Sequence, residues 1–295
     1  MRFYGMDMPS NPAEAALQQL IERLHERGRL RVWSLVITIF GDAVVPHGGR
    51  VALGTLQEIV GRLGVEPGAL RTALSRLAGD HWVIRERDGR NSFYRLAEEG
   101  RHSFDLATRR IYSAGPPDWN GAWIVAIAPP GGTDARALAE AGFVRVEGGV
   151  YLRPETAGAI PAGEALSGML VIHGASADHP ETMRSLWPSA EVAGAYGGFI
   201  DAVGPLAAAL ERGSTLPPLK AMAARTLVIH HWRRIVLRDP GLPSTLLPPD
   251  WPGEEARALV RTVYRVLLQP SEEWLDKAGL PPVADRRAFM ARFGS

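Results

Sequence analysis

Residues 55–96 read TLQEIVGRLGVEPGALRTALSRLAGDHWVIRERDGRNSFYRL, and this stretch decides the fold. Thr55-Leu56-Gln57-Glu58 has the spacing of a capping box, in which the threonine hydroxyl and the glutamate each satisfy a free backbone N–H. The helix it opens runs to about Leu63 and ends at Gly64, the residue favoured just past a helix end. After the turn Gly64-Val65-Glu66, Pro67 takes the first position of a second helix, whose Leu70, Ala73, Leu74 and Leu77 share one face. Two short helices with so short a turn make a helix-turn-helix. Trp82 to Arg87 and Arg90 to Leu96 then flank Asp88-Gly89, a dipeptide that favours a tight type I′ hairpin turn. A helix-turn-helix followed at once by a hairpin is the order of a winged helix.

Outward from this module, Ala13 to Arg27 has Leu17, Leu20, Ile21 and Leu24 at helical spacing, and Arg31 to Phe40 is a second helical segment stopped by Gly41. A helix from about Glu98 to Tyr112 closes the module, and Gly115-Pro116-Pro117-Asp118 reads as a linker. Beyond it come a strand at Trp123 to Ala128, a helix at Thr133 to Ala141, strands at Phe143 to Val146 and Val150 to Leu152, and a strand at Met169 to Ile172. A helix near Glu181 to Trp187 follows. From Ala190 the chain reads as helical, broken by a proline-rich loop from Asp239 to Gly253. The expected class is α+β multidomain: an N-terminal extension (1–28), a winged helix-turn-helix (29–114), a central ferredoxin-like domain (118–188) and a helical C-terminal regulatory and dimerisation domain (189–295).

The second helix of a helix-turn-helix enters the major groove and meets base edges with its exposed residues. Opposite the leucines lie Gly68, Arg71, Thr72, Ser75 and Arg76. Arginine grips guanine bidentately, and Thr or Ser bonds bases or phosphates. Gly68 lets the helix start come close to the nucleic-acid backbone. Arg85, Arg87, Arg90 and Arg95 on the hairpin suit phosphate or minor-groove contact. Thr55 and Asn91 complete the DNA-binding set. The competing reading is a solvated helix face, with wing arginines paired to Glu86 and Asp88. Agreement of cap, turn, polar helix and basic hairpin favours double-stranded DNA.

Composition narrows the alternatives. The 295 residues contain no cysteine, which excludes disulfides, thiolate nucleophiles and cysteine zinc sites. A net charge of +1 is neutral on partners, and Lys220 and Lys277 are the only lysines. The longest apolar stretch, Val32 to Phe40, is too short for a bilayer, and no signal pattern opens the chain, so a cytoplasmic protein without membrane contact is expected.

Several segments resemble the PaaX family, repressors of phenylacetate catabolism. They are Phe40-Gly41-Asp42, Arg71-Thr72-Ala73-Leu74-Ser75-Arg76-Leu77, Gly89-Arg90 with Tyr94-Arg95-Leu96, Gly142-Phe143 and Val150-Tyr151-Leu152-Arg153-Pro154. The most specific match is His230-His231-Trp232-Arg233-Arg234 with Asp239-Pro240, Leu242-Pro243, Leu246-Leu247-Pro248 and Trp251-Pro252-Gly253. The resemblance implies a Cas2-like fold for the central domain. It also implies a homodimer that leaves its operator when phenylacetyl-CoA binds; no cofactor is expected. Asn91 stands where a basic wing residue is expected and Trp232 where tyrosine is commoner; residues before Arg29 lie outside the match.

The arginines of 230–234 suggest an effector site, with Arg233 and Arg234 on coenzyme A phosphates, Trp232 on adenine and His230 on the same face as Arg234. The structural alternative is that His230 packs on the Asp239-Pro240 loop while Arg233 or Arg234 pairs with Asp239. Neighbouring helix residues point about 100° apart, so His230 and His231 make a poor metal site. Two enzyme readings are set aside. The strand at 123–128 carries no carboxylate for the cation of a Cas2-like nuclease. No Gly-x-Ser-x-Gly elbow supports thioester hydrolysis with His230 or His173 as base. The third reading is an interaction protein, because Trp119, Trp123, Trp187, Trp232, Trp251 and Trp274 suit interface hot spots.

Overall fold

Asn11 starts the first helix, α1 (Pro12–Glu26), by accepting the Ala13 N–H on its side chain at 3.0 Å. The computed structural model describes residues 11–26, 31–156, 162–176, 186–187 and 190–294, with the backbone alone at 99–103 and 106. Six apolar residues of α1, from Ala13 to Leu24, are buried. Helix α2 (Val32–Ile39) is buried from Ser34 to Ile39 and does not stop at Gly41. It continues as one wide π-helical turn, Phe40–Val44. A Cβ on Gly41 would meet the Phe104 ring at 3.0 Å, so this glycine admits an aromatic ring and does not break the helix.

A short strand, β1 (Arg50–Ala52), leads directly into α3 (Leu53–Gly61). The capping box expected at Thr55 is therefore not formed: Ala52 is the N-cap, without a side-chain hydrogen bond, and Thr55 lies buried inside the first turn. Helix α4 (Pro67–Gly79) opens with proline in its first turn as the sequence requires. Strands β2 (Val83–Asp88) and β3 (Asn91–Leu96) pair in register from Val83↔Leu96 to Asp88↔Asn91. Gly89 has φ 58° while Arg90 is not among the residues of positive φ. A type I′ turn needs positive φ at both central positions, so the turn belongs to the II′ kind, with glycine first. β1 joins on the far side of β3, giving the order β1-β3-β2.

Helix α5 (Glu98–Ile111) leads to β4 (Ala122–Ile127), α6 (Ala135–Glu140), β5 (Val144–Glu147), β6 (Val150–Pro154) and β7 (Leu170–Ala175). These strands form a second antiparallel sheet in the order β5-β6-β4-β7. Successive residues point to opposite faces of a strand, and β4 shows it. Ile124 and Ala126 pack with Leu138 of α6, Phe143 and Tyr151. Trp123 packs with Leu152, Trp187, Leu242 and Leu246 on the other face. The helix expected near 181–187 falls outside the described residues except at 186–187.

The C-terminal helices are α7 (Ala190–Glu211), α8 (Pro218–Val236), α9 (Gly253–Lys277) and the short α10 (Arg286–Met290). α9 runs past the expected end at Leu268 and through Pro270, because Ser271, Trp274 and Leu275 bury its last turns. α7 is, among the described residues, the one helix long and apolar enough to cross a membrane. Here Tyr196, Phe199, Val203 and Leu206 bury its apolar side in the core. One hydrophobic cluster runs continuously from α1 through α2, α3, α4 and α5 to α7, α8 and α9. The N-terminal unit and the C-terminal helices therefore share a core, while the second sheet has its own.

Candidate functional site

On α4 the pattern separates cleanly. Leu70, Ala73, Leu74 and Leu77 are buried, while Gly68, Arg71, Thr72, Ser75 and Arg76 are exposed on the opposite side. Thr72 Oγ1 donates to the Gly68 carbonyl at 3.1 Å, and a Cβ on Gly68 would meet nothing within 4 Å. Gly68 thus relieves no internal crowding and leaves the helix start open from outside. Arg76 reaches Asp80 at 3.6 Å and lies 5.8 Å over the Trp33 ring. Arg71 has no ion pair among the described residues. Thr55, buried in α3, does not join this surface.

The hairpin divides the basic residues between two faces. Arg85 and Arg87 share the side of Val83 and Tyr94, with Arg85 donating to Ser92 Oγ at 2.9 Å. Arg90 and Asn91 are exposed at the turn. Arg95 is on the other face, donating to Glu86 at 2.6 Å. Arg50, which sequence reading passed over, joins it there: it lies 3.1 Å from Glu86, 3.6 Å from Asp88 and 3.6 Å over the Phe93 ring. Only the three-residue strand β1 places Arg50 opposite Arg95. The Arg95 hydrogen bond, joined by that of Arg50 and by both guanidinium charges, holds the Glu86 carboxyl below its ordinary pKa against the opposing effect of burial.

The 230–234 segment is not the effector cradle expected from its composition. His230 and Trp232 are 1% and 0% exposed. His230 Nδ1 lies 3.0 Å from Thr38 Oγ1, and Arg233 Nε donates to that same hydroxyl at 2.8 Å. Arg233 Nη2 donates to the carbonyl and hydroxyl of Ser34 at 3.1 and 2.8 Å. Trp232 Nε1 donates to the Ile111 carbonyl at 2.8 Å. This set therefore fastens α8 to α2 and α5, and Trp232 has no face free for an adenine. Nor does Asp239 pair with Arg233 or Arg234: it accepts Tyr196 Oη at 2.6 Å and the Gly241 N–H at 2.8 Å. Burial, then the charges of Arg233, Arg234 and His231, push the His230 pKa down to about 3.

A second buried cluster centres on Asp42, in the π-helical turn. Its carboxylate accepts Tyr112 Oη at 2.6 Å, Tyr264 Oη at 3.1 Å and Arg292 Nη1 at 3.1 Å. Arg225 Nε lies 2.7 Å from the same carboxylate and Arg225 Nη1 2.6 Å from Glu272, which reaches His47 at 2.9 Å. The Phe40-Gly41-Asp42 triplet is thus the point where α2, α5, α8, α9 and the C-terminal segment are tied together.

A cavity of about 1440 Å³ opens where α5, the second sheet, α7, α8 and the 238–251 loop meet. Its wall includes Tyr196, Trp187 and Trp251, and nine arginines against four acidic residues. Of the effector residues named from sequence, Arg234 alone lines it. Of the six tryptophans named as interface candidates, Trp123, Trp187, Trp232 and Trp274 are each under 10% exposed and serve the interior, while Trp119 and Trp251 are half-buried.

Known proteins bear on these features. The family described as PaaX-like protein matches residues 31–100, and the PaaX-like protein C-terminal domain matches residues 187–277. The transcriptional repressor PaaX of Escherichia coli (strain K12) is 29% identical over 284 residues, covering 88% of this chain and 89% of that repressor. The uncharacterized protein Rv0674 from Mycobacterium tuberculosis superposes with a TM-score of 0.53 over 81% of this chain and 97% of its own, at 21% identity, a likeness of fold alone. Matched at both its N-terminal unit and its C-terminal helices, the chain belongs to the PaaX-like protein family.

Proposed function

We propose that this chain is a DNA-binding transcriptional repressor whose N-terminal unit is a winged helix, with α4 as the recognition helix. The observation that carries the reading is the exposed row Gly68, Arg71, Thr72, Ser75 and Arg76 on a helix whose other side is core. The order α2, β1, α3, α4, β2, β3 supports it, and so does the name of the Escherichia coli relative. Arg71 and Arg76 read base edges; Arg85, Arg87 and Arg90 contact phosphate.

The strand order β5-β6-β4-β7, with α6 between β4 and β5, supports reading the second sheet as a ferredoxin-like, Cas2-like unit. Its edge strand β7 exposes Leu170 and Ile172, at 60% and 47%, which supports a homodimer built on this unit. Two subunits then present two recognition helices to successive half-sites of an operator. The role is regulatory rather than catalytic, in the cytoplasm and away from membranes. The effector is an acyl-CoA such as phenylacetyl-CoA, and the arginine-rich cavity with its aromatic wall is where it binds. An effector that prefers the arrangement unable to hold DNA shifts the population off the operator.

Fluorescence anisotropy with DNA from upstream of the chain's own gene and of neighbouring catabolic operons, at fixed salt, tests this. Phenylacetyl-CoA, phenylacetate and free CoA are titrated separately. Tight binding released by the thioester alone is expected. The absence of sequence-specific binding to every upstream fragment would refute the repressor.

A further inference from the structure

Most arginines of the cavity wall already have partners in the chain. Arg110 donates to the Val236 carbonyl at 3.0 Å and to that of Asp239, closing the end of α8. Arg153 donates to the Ala141 carbonyl at 2.8 Å, Arg257 to Ser113 Oγ at 2.7 Å, and Arg145 to the Gly148 carbonyl at 2.6 Å. Arg136 pairs with Glu140 at 2.9 Å. Arg31, Arg234 and Arg238 differ, as does Arg109 at the end of α5: none has an ion pair or side-chain hydrogen bond among the described residues.

Arg234 in the last turn of α8 and Arg238 in the turn just beyond it are both exposed, and Arg31 immediately precedes α2. Arg234 is close enough to feel the other two. Burial first, then the charges of Arg238 and Arg31, lower the Arg234 pKa. Acids on the same wall do not neutralise them. Glu140 is held by Arg136 and Glu254 by Arg257, and the Asp239 charge acts on Arg110, which leaves Glu191, exposed on α7. Like charges brought together without counter-charge are unfavourable until an anion joins them, and guanidinium forks fit phosphate oxygens in pairs.

We propose that Arg31, Arg234 and Arg238 are the phosphate anchor of this cavity, binding the phosphate or pyrophosphate groups of its ligand while the half-buried Trp251 receives the apolar end. Identifying that ligand as an acyl-CoA rests on the reading above; the anchor itself requires only a multiply charged phosphate. Because Arg31 leads into α2, Arg234 belongs to α8 and Arg238 to the turn that follows it, a bound phosphate bridges the same two helices that His230, Thr38 and Arg233 join.

The test is calorimetric titration of the full chain with inorganic pyrophosphate, free CoA and phenylacetyl-CoA, for wild type, Arg234→Gln, Arg238→Gln and the double variant. Arg136→Gln, whose arginine is already paired, is the control, and thermal melting checks that each variant folds. Each anchor substitution is expected to weaken phosphate-bearing probes about tenfold or more, and the control about twofold or less. Phenylacetyl-CoA bound equally by wild type and the double variant would overturn the anchor and leave the effector reading intact. Pyrophosphate binding lost in the variants, with no binding of either CoA compound, would support the anchor and overturn the acyl-CoA. Binding of no probe to wild type would overturn both.

Discussion

Lowering the pH from 7 to 5 should destabilise the folded chain through His230, by an amount the structure sets. In the unfolded chain a histidine takes up a proton near pH 6.5. In the fold, His230 stays neutral down to about pH 3, because a buried imidazolium would stand beside Arg233. The group's folded pKa is depressed, so the unfolded state binds the extra proton between pH 6.5 and 3, and stability falls as the pH falls through that window. Between pH 6.5 and pH 5 the loss accumulates at about 1.4 kcal/mol per unit, or about 2 kcal/mol at pH 5. That figure is insensitive to the folded value, provided it stays well below 5. Urea unfolding of wild type and His230→Asn at pH 7 and pH 5, at one ionic strength, isolates it. The variant is less stable at both pH values, since it loses ring packing and part of the contact to Thr38. Its decline between them should be smaller than that of wild type by about 2 kcal/mol. Equal declines would refute the argument, for they would mean that His230 takes up its proton in the fold as readily as in the unfolded chain.

Arg71→Ala or Arg76→Ala should cost about 1–3 kcal/mol in operator affinity if the arginine reads a base edge. Competition anisotropy against scrambled DNA checks this, and unchanged affinity in both would dismiss α4 as the reading face. Arg87→Ala and Arg90→Ala should instead weaken all sequences alike and reduce the salt slope by about one each; slopes identical to wild type would remove the hairpin from the interface. Asp42→Ala leaves Arg225 and Arg292 buried without their shared carboxylate. It should lower the unfolding free energy by about 3–5 kcal/mol, measured by urea titration. A loss below about 1 kcal/mol would show that Asp42 is not the tie described.

Local pattern made the N-terminal unit readable, because everything that shapes α4 and the hairpin lies within a few residues. Leu70, Ala73, Leu74 and Leu77 define one side of a helix, and whatever stands between them faces out. The Thr55 reading failed at the same scale for a physical reason: the extended Ala52 delivers the chain into α3 before Thr55 is reached. A threonine three residues before a glutamate then becomes an interior residue. Arg50 was missed because a three-residue strand leaves no periodicity to detect, and its place beside Glu86 is decided by pairing across β3. The order of the second sheet was partly legible, since alternation marks strands but not which strands become neighbours.

The 230–234 segment shows where sequence stops deciding. Four apart on a helix, His230 and Arg234 were expected to share a face. The structure gives His230 the company of Arg233, three residues on, because both meet Thr38, and it turns Arg234 toward the cavity. Spacings of three and four are both neighbours on a helix surface, so the choice falls to whatever packs against it. Here that is α2, whose Thr38 lies 192 residues before His230 in the chain. Consequently α8 has one side fixed to α2, the first helix of the proposed winged helix, and another lining the cavity. A charged ligand held at Arg234 and Arg238 acts on the same rigid element that His230 and Arg233 fasten to α2. An effector seated there needs no long chain of intermediates to reach α2: the two contacts are a single helical turn apart.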